Sequence, residues 1–184
     1  MPARLVLVNG APGSGKSTVA RALAERASVG GAEALALALD VDQLKHALGG
    51  WENDPTASGL HARRLALALA AEQLRSGRDV FVGQYLARPE FVEALDALAQ
   101  RCAASFHEYV LVVDAERLAA RLRSRALRPT RAEHDVNNRL VGPADVPELI
   151  RSLEPLLAVR PRTVRIDANG ALEETVAAID ATLR

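Results

Sequence analysis

The stretch Gly10-Ala11-Pro12-Gly13-Ser14-Gly15-Lys16-Ser17-Thr18 decides the fold. It follows the apolar run Leu5-Val6-Leu7-Val8 and opens a helical pattern over Ser17–Ala27. Gly10 to Ser17 fits G-x-x-x-x-G-K-[ST] at every fixed position, and strand, turn and helix are the context that its mechanism requires. Glycines let the backbone wrap closely around an anion and turn amide N–H groups inward. The helix starting near Lys16 adds the positive end of its dipole. In such a loop Lys16 reaches the β- and γ-phosphates of a nucleoside triphosphate, Ser17 offers a hydroxyl to Mg²⁺, and Thr18 bonds an α-phosphate. ATP with Mg²⁺ is the expected ligand pair.

Outward from this loop, short apolar runs alternate with amphipathic stretches. Strands are expected at Leu5–Val8, Ala34–Leu39, Asp79–Val82, Tyr109–Val113 and Thr163–Ile166. The composition of Ala34–Leu39 also permits a helix; the preceding Gly30-Gly31 and the alternating rhythm favour a strand. Helices are expected at 42–48, 60–75, 89–101, 115–127, 144–158 and 172–183, with a polar loop at 51–58 and a polar, irregular segment at 128–143. Five strands interleaved with helices predict an α/β fold with a parallel sheet covered on both faces.

The composition supports one domain over residues 1–184. Apolar residues make up 49% of the chain and aromatics only 3%, so small aliphatic side chains must fill the core. The 23 basic and 23 acidic residues cancel, which gives no support to general affinity for nucleic acid or membranes. Cys102 is the single cysteine, excludes an internal disulfide and reads as core filler. No stretch resembles a signal peptide or approaches the length of a membrane span, and the chain reads as cytoplasmic.

Asp40-Val41-Asp42 stands at the carboxyl end of the second strand, the edge where open α/β sheets bind ligands. Asp40 can face the metal shell beside Ser17, and Asp42 can accept a proton from an acceptor hydroxyl. Capping of the next helix by Asp42 is the competing reading. Arg121, Arg123, Arg125, Arg128 and Arg131 run from a helix into the irregular segment, with Arg121 and Arg125 on one face. One of them could stack on a base and another reach a transferring phosphate, while the rest form a solvated face. The segment 128–143 is a candidate lid. Asn169, in the loop Asp167-Ala168-Asn169-Gly170, is a candidate contact to the base or an ordinary turn residue.

These residues together resemble the small-molecule kinases of the P-loop NTPase superfamily: shikimate, gluconate and adenylate kinases, chloramphenicol phosphotransferase and zeta-toxin-like enzymes. The resemblance spans nearly the whole chain by element order and is most specific at Gly10 to Thr18. It implies a three-layer fold with sheet order 2-3-1-4-5. It also implies metal-side and acceptor-side roles for Asp40 and Asp42, an adenine-stacking role for Arg121 and a lid pair at Arg128-Pro129. The chain departs from the group where the third strand runs into Val82-Gly83-Gln84-Tyr85, with neither the acid nor the Gly cluster seen in many members; shikimate is not the expected acceptor. Asp114 ends an apolar run, as in a metal-coordinating strand, but reads as a helix cap.

The acceptor is expected between Asp42 and the segments after the second and third strands. Candidates are Lys45, Trp51, His61, Arg64, Gln84, Tyr85 and Arg88. Trp51 either stacks or anchors its loop. The expected partners are ATP and a small hydroxylated acceptor (an antibiotic, sugar or nucleoside), with the protein a monomer or homodimer. Two other readings are a nucleoside monophosphate kinase and a nucleotide-dependent switch with slow hydrolysis.

Overall fold

The computed structural model describes residues 2–29, 34–127 and 141–183. Strands β1 (Arg4–Gly10), β2 (Leu37–Leu39), β3 (Val80–Gly83), β4 (Ser105–Val112) and β5 (Val164–Asp167) form one sheet in the order β2-β3-β1-β4-β5. Every pairing is parallel. The sheet order is the one that the family resemblance implies.

Alternation along β1 divides the core between the two faces. Leu5 and Leu7 join Val80 and Val82 on one face, under helices α3 (Pro55–Arg75) and α4 (Pro89–Arg101). Val6 and Val8 join Phe81, Tyr109 and Leu111 on the other, under α1 (Lys16–Ala27), α5 (Ala115–Leu127) and α8 (Leu172–Thr182). Ala62, Ala66 and Ala70 recur every four residues and are fully buried, so α3 lies close against the sheet. Cys102 closes α4 and packs half-buried against the first cluster. No helix among the described residues is long and apolar enough to cross a membrane.

Four elements differ from the sequence expectation. Helix α3 begins at Pro55, inside the segment expected as a loop, because Asp54 caps it by accepting from the Thr56 and Ala57 amides and Pro55 fits its first turn. The expected helix over 144–158 is broken into a 3₁₀ turn (Pro143–Asp145), α6 (Val146–Arg151) and α7 (Glu154–Val159). Pro155 has no amide to continue α6, so a new helix starts around it. Strand β4 begins at Ser105 rather than Tyr109. Its polar Glu108 is tolerated in the sheet because Arg160 Nε (2.9 Å) and Thr163 Oγ1 (2.7 Å) bond its carboxylate. Strand β2 is confined to Leu37–Leu39, with residues 30–33 outside the described residues.

Candidate phosphate and acceptor site

The turn from β1 into α1 is held by close packing. Gly15 precedes α1 with φ 96°, a left-handed conformation that other residues rarely adopt. Gly83 ends β3 against the first turn of α1: a Cβ there would stand 2.8 Å from Ser17 Cα and 2.9 Å from the Lys16 carbonyl. Ser17 Oγ lies 3.5 Å from the Gly83 carbonyl. Asn9, which the sequence reading passed over, is buried at the mouth of the loop. Its Oδ1 accepts from the Gly10 amide (2.7 Å) and the Leu86 amide (2.9 Å), and its Nδ2 donates to the Leu86 carbonyl (2.9 Å). One side chain thus joins the phosphate loop to the segment after β3.

Lys16 lies among Asp42, Asp40 and Arg125. Burial lowers its pKa from 10.5 to about 8; Asp42 and Asp40 oppose that shift, and Arg125 adds to it. The Arg125 guanidinium is itself pulled down by burial. Arg121, one turn earlier on α5, donates to the Ser14 carbonyl (3.2 Å) and the Ala168 carbonyl (2.8 Å). It borders a cavity of about 190 Å³ lined by Gly13, Ser14, Gly15, Thr18, Ala168 and Gly170. The face shared by Arg121 and Arg125 therefore turns toward the phosphate loop, whereas Arg123 is exposed. Arg128, Arg131 and most of the candidate lid 128–143 lie outside the described residues.

Of the two aspartates, Asp40 is the helix cap. It accepts from the Asp42 amide (3.0 Å) and the Gln43 amide (3.4 Å) at the start of α2 (Val41–His46). Asp42 occupies the first turn of α2, where no hydrogen bond or ion pair to a described residue engages its carboxylate. It lines a second cavity of about 290 Å³, together with Lys45, Thr56, Gly59, Leu60, Arg63 and Gln84.

The remaining candidates scatter around this cavity. Trp51 is half-buried, with the His46 ring edge-on at 4.4 Å and Lys45 Nζ 5.1 Å from its centroid. Arg64 does not line the cavity, and its Nη2 lies 3.4 Å from His61 Nδ1; Arg63 is the arginine on the wall. Tyr85 reaches instead to the residue that caps the end of α6, its hydroxyl bonding Ser152 Oγ at 2.7 Å. Arg88 is exposed at the start of α4. Asn169 braces two loops: Oδ1 accepts from the Asp114 amide (2.9 Å), and Nδ2 donates to Asp167 Oδ1 (2.8 Å). Its carbonyl accepts from Arg117. Asp114 opens α5, its carbonyl accepting from the Leu118 amide at 2.9 Å.

No group of three or more His, Cys, Asp or Glu suited to a metal occurs among the described residues. Ser17 and Asp40 are hard oxygen donors, too few for an all-protein cage but suited to Mg²⁺, which keeps waters and takes phosphate oxygens as ligands.

A family model described as an AAA domain matches residues 5–142. No curated protein matches the chain in sequence. Among solved structures, a candidate kinase from Chloroflexus aurantiacus j-10-fl is 23% identical with TM-score 0.71, covering 100% of both chains. A gluconokinase from Sinorhizobium meliloti 1021 is 22% identical with TM-score 0.60, covering 99% of this chain and 95% of its own. The APS kinase of Mycobacterium tuberculosis, solved with AMPPNP and APS, is 17% identical with TM-score 0.60, covering 99% and 98%. At these identities the likeness shows a shared fold, the one found in P-loop kinases.

Proposed function

The chain belongs to the AAA domain family, and from that premise we propose that it is a kinase, transferring the γ-phosphoryl group of ATP to a hydroxyl of a small acceptor. The observation that carries this reading is the position of Asp42. Its carboxylate acts on the Lys16 ammonium from one side and lines a separate cavity on the other. A switch or a plain hydrolase has no need of a second, acceptor-sized cavity facing a carboxylate. The kinase activities of the gluconokinase and APS kinase neighbours agree with this reading.

In the proposed reaction Lys16 and the loop amides hold the phosphates, and Arg121 and Arg125 flank them. Ser17 and Asp40 would hold Mg²⁺, which neutralises phosphate charge when bound. The acceptor oxygen forms a bond to the γ-phosphorus as the bond to the bridging oxygen breaks. The hydroxyl proton passes to Asp42, and ADP leaves.

ADP release from Mg·ATP, followed across pools of hydroxylated metabolites, nucleosides and antibiotics, tests the proposal. One pool should raise the rate far above background. Asp42→Asn should lower that acceptor-dependent rate by about 10²–10⁴ while leaving ATP binding within about twofold. Equal turnover by the variant would remove Asp42 from the mechanism. A flat response to every pool would favour the switch.

A further inference from the structure

We propose that the acceptor carries an anionic group, a carboxylate or a phosphate, which docks between Lys45 and Arg63 while its reacting hydroxyl faces Asp42. This rests on the kinase reading and narrows it to a substrate class.

The charges lining the 290 Å³ cavity are unequal. Among the described residues Asp42 is the one carboxylate on its wall, against the two cations Lys45 and Arg63. Neither cation forms an ion pair with a described residue. Lys45 lies over the Trp51 ring (5.1 Å) and Arg63 over the Phe91 ring (5.5 Å). Asp54, nine residues before Arg63, is committed to the amides of Thr56 and Ala57. Asp42 in turn faces Lys16, so its charge is shared with the phosphate loop. Two cations held on aromatic faces, without counter-ions among the described residues, make a net positive wall that suits an anion.

A second observation points to a hydroxylated ligand. Gln84 is 9% exposed and lines the same cavity, and its Oε1 is buried without a hydrogen-bond partner. A buried acceptor atom left unpaired is unfavourable, and a ligand hydroxyl would satisfy it. The volume lies at the lower limit of small-molecule sites, at about 300 Å³. A polyol acid or a sugar phosphate fits that size.

Trp51 is the only tryptophan of the chain and touches the Lys45 ammonium, so its fluorescence reports on this wall directly. With the phosphate loop saturated by a non-hydrolysable ATP analogue, the protein is titrated with aldonic acids, sugar phosphates and the neutral parent sugars. Saturable fluorescence change is expected with at least one anionic series, and which series responds separates carboxylate from phosphate. Neutral sugars should bind at least about tenfold more weakly. Lys45→Met and Arg63→Met should each weaken the anion by about tenfold, with unchanged affinity for the ATP analogue showing that the fold is intact. Equal binding of neutral and anionic probes, no saturable response to any anion, or unaltered binding by both variants would overturn the proposal. Anion binding without any phosphorylated product would leave this wall in place and defeat the kinase reading instead. Phosphorylation of neutral acceptors alone, abolished in Asp42→Asn, would do the reverse.

Discussion

The phosphate loop and the acceptor cavity meet at Asp42 but are built in opposite ways. Around the loop, backbone meets backbone: Gly83 against the first turn of α1, Gly15 in a left-handed turn, Asn9 bonding three main-chain groups. Around the acceptor cavity, side chains such as Lys45 and Arg63 project from the solvent-facing sides of α2 and α3. A backbone cradle tolerates little change and fixes one ligand chemistry. A wall of side chains can be rebuilt without disturbing the sheet, which is how one fold serves many acceptors. Substitutions in the cradle should therefore harm stability and nucleotide binding together. Those in the acceptor wall should harm acceptor affinity alone.

The largest stability effect is expected at Asn9. Asn9→Leu keeps the volume but leaves the Gly10 amide and both main-chain groups of Leu86 without partners in a buried place. At about 1–3 kcal/mol for each orphaned group, with incomplete additivity, unfolding in urea should show a loss of about 3 kcal/mol. A loss under about 1 kcal/mol would mean that water or a shifted loop replaces these bonds, and the cradle would be more pliable than the geometry implies. Gly83→Ala comes next. The contacts its Cβ would make are with backbone atoms, which cannot rotate aside, so a loss of about 2 kcal/mol is expected, with at least about tenfold weaker ATP binding. If stability fell while ATP affinity held, the close approach would serve packing rather than the loop.

These two residues also mark where the sequence stopped being informative. The loop Gly10 to Thr18 is legible because its glycine pattern has one backbone use, and the sheet order because the family resemblance implies it. Asn9 and Gly83 carry no such pattern; their importance arises from the approach of segments 77 and 66 residues away. The choice of Arg64 over Arg63 has a local cause. With α3 taken to begin at Leu60, nothing fixed the side of the helix that meets α2. Asp54-Pro55, an N-cap followed by a first-turn proline, was the available signal, and it places Thr56, Gly59, Leu60 and Arg63 on one stripe. Pro155 was an equally readable break in the expected helix over 144–158. Asp40 as the cap of α2 follows from its position just before the helix, two residues earlier than the cap candidate Asp42.

On the nucleotide side, Arg121 and Arg123 give a smaller and sharper contrast. Arg121 ties the Ser14 carbonyl to the Ala168 carbonyl, whereas Arg123 is exposed. Arg121→Ala should weaken ATP by about tenfold, or about 1.4 kcal/mol, with the acceptor KM nearly unchanged. Arg123→Ala should change neither. Equal effects of the two would show that the α5 arginines act through general charge rather than through the bridge.

The smallest effect is a proton count, and it probes the cradle without any substitution. Lys16 in the empty protein has its pKa lowered to about 8, chiefly by burial. Below that pH the ammonium is charged in both folded and unfolded chains. As pH rises through about 8 the folded chain releases the proton while the unfolded chain still holds it. Stability should therefore increase with pH between about 8 and 10.5, provided that other groups do not titrate there. Phosphates beside Lys16 favour its charged form. Nucleotide binding near pH 9 should thus take up most of one proton, and binding near pH 6.5 should take up almost none from this residue. Calorimetry in buffers of differing ionisation enthalpy measures that number, and ATP affinity should fall by up to about tenfold per pH unit above about 8. Lys16→Met should abolish the uptake. If the wild-type protein binds ATP near pH 9 with no proton uptake, Lys16 is already an ammonium there, held charged by Asp42 and Asp40. The cradle and the acceptor wall would then be electrostatically one site rather than two.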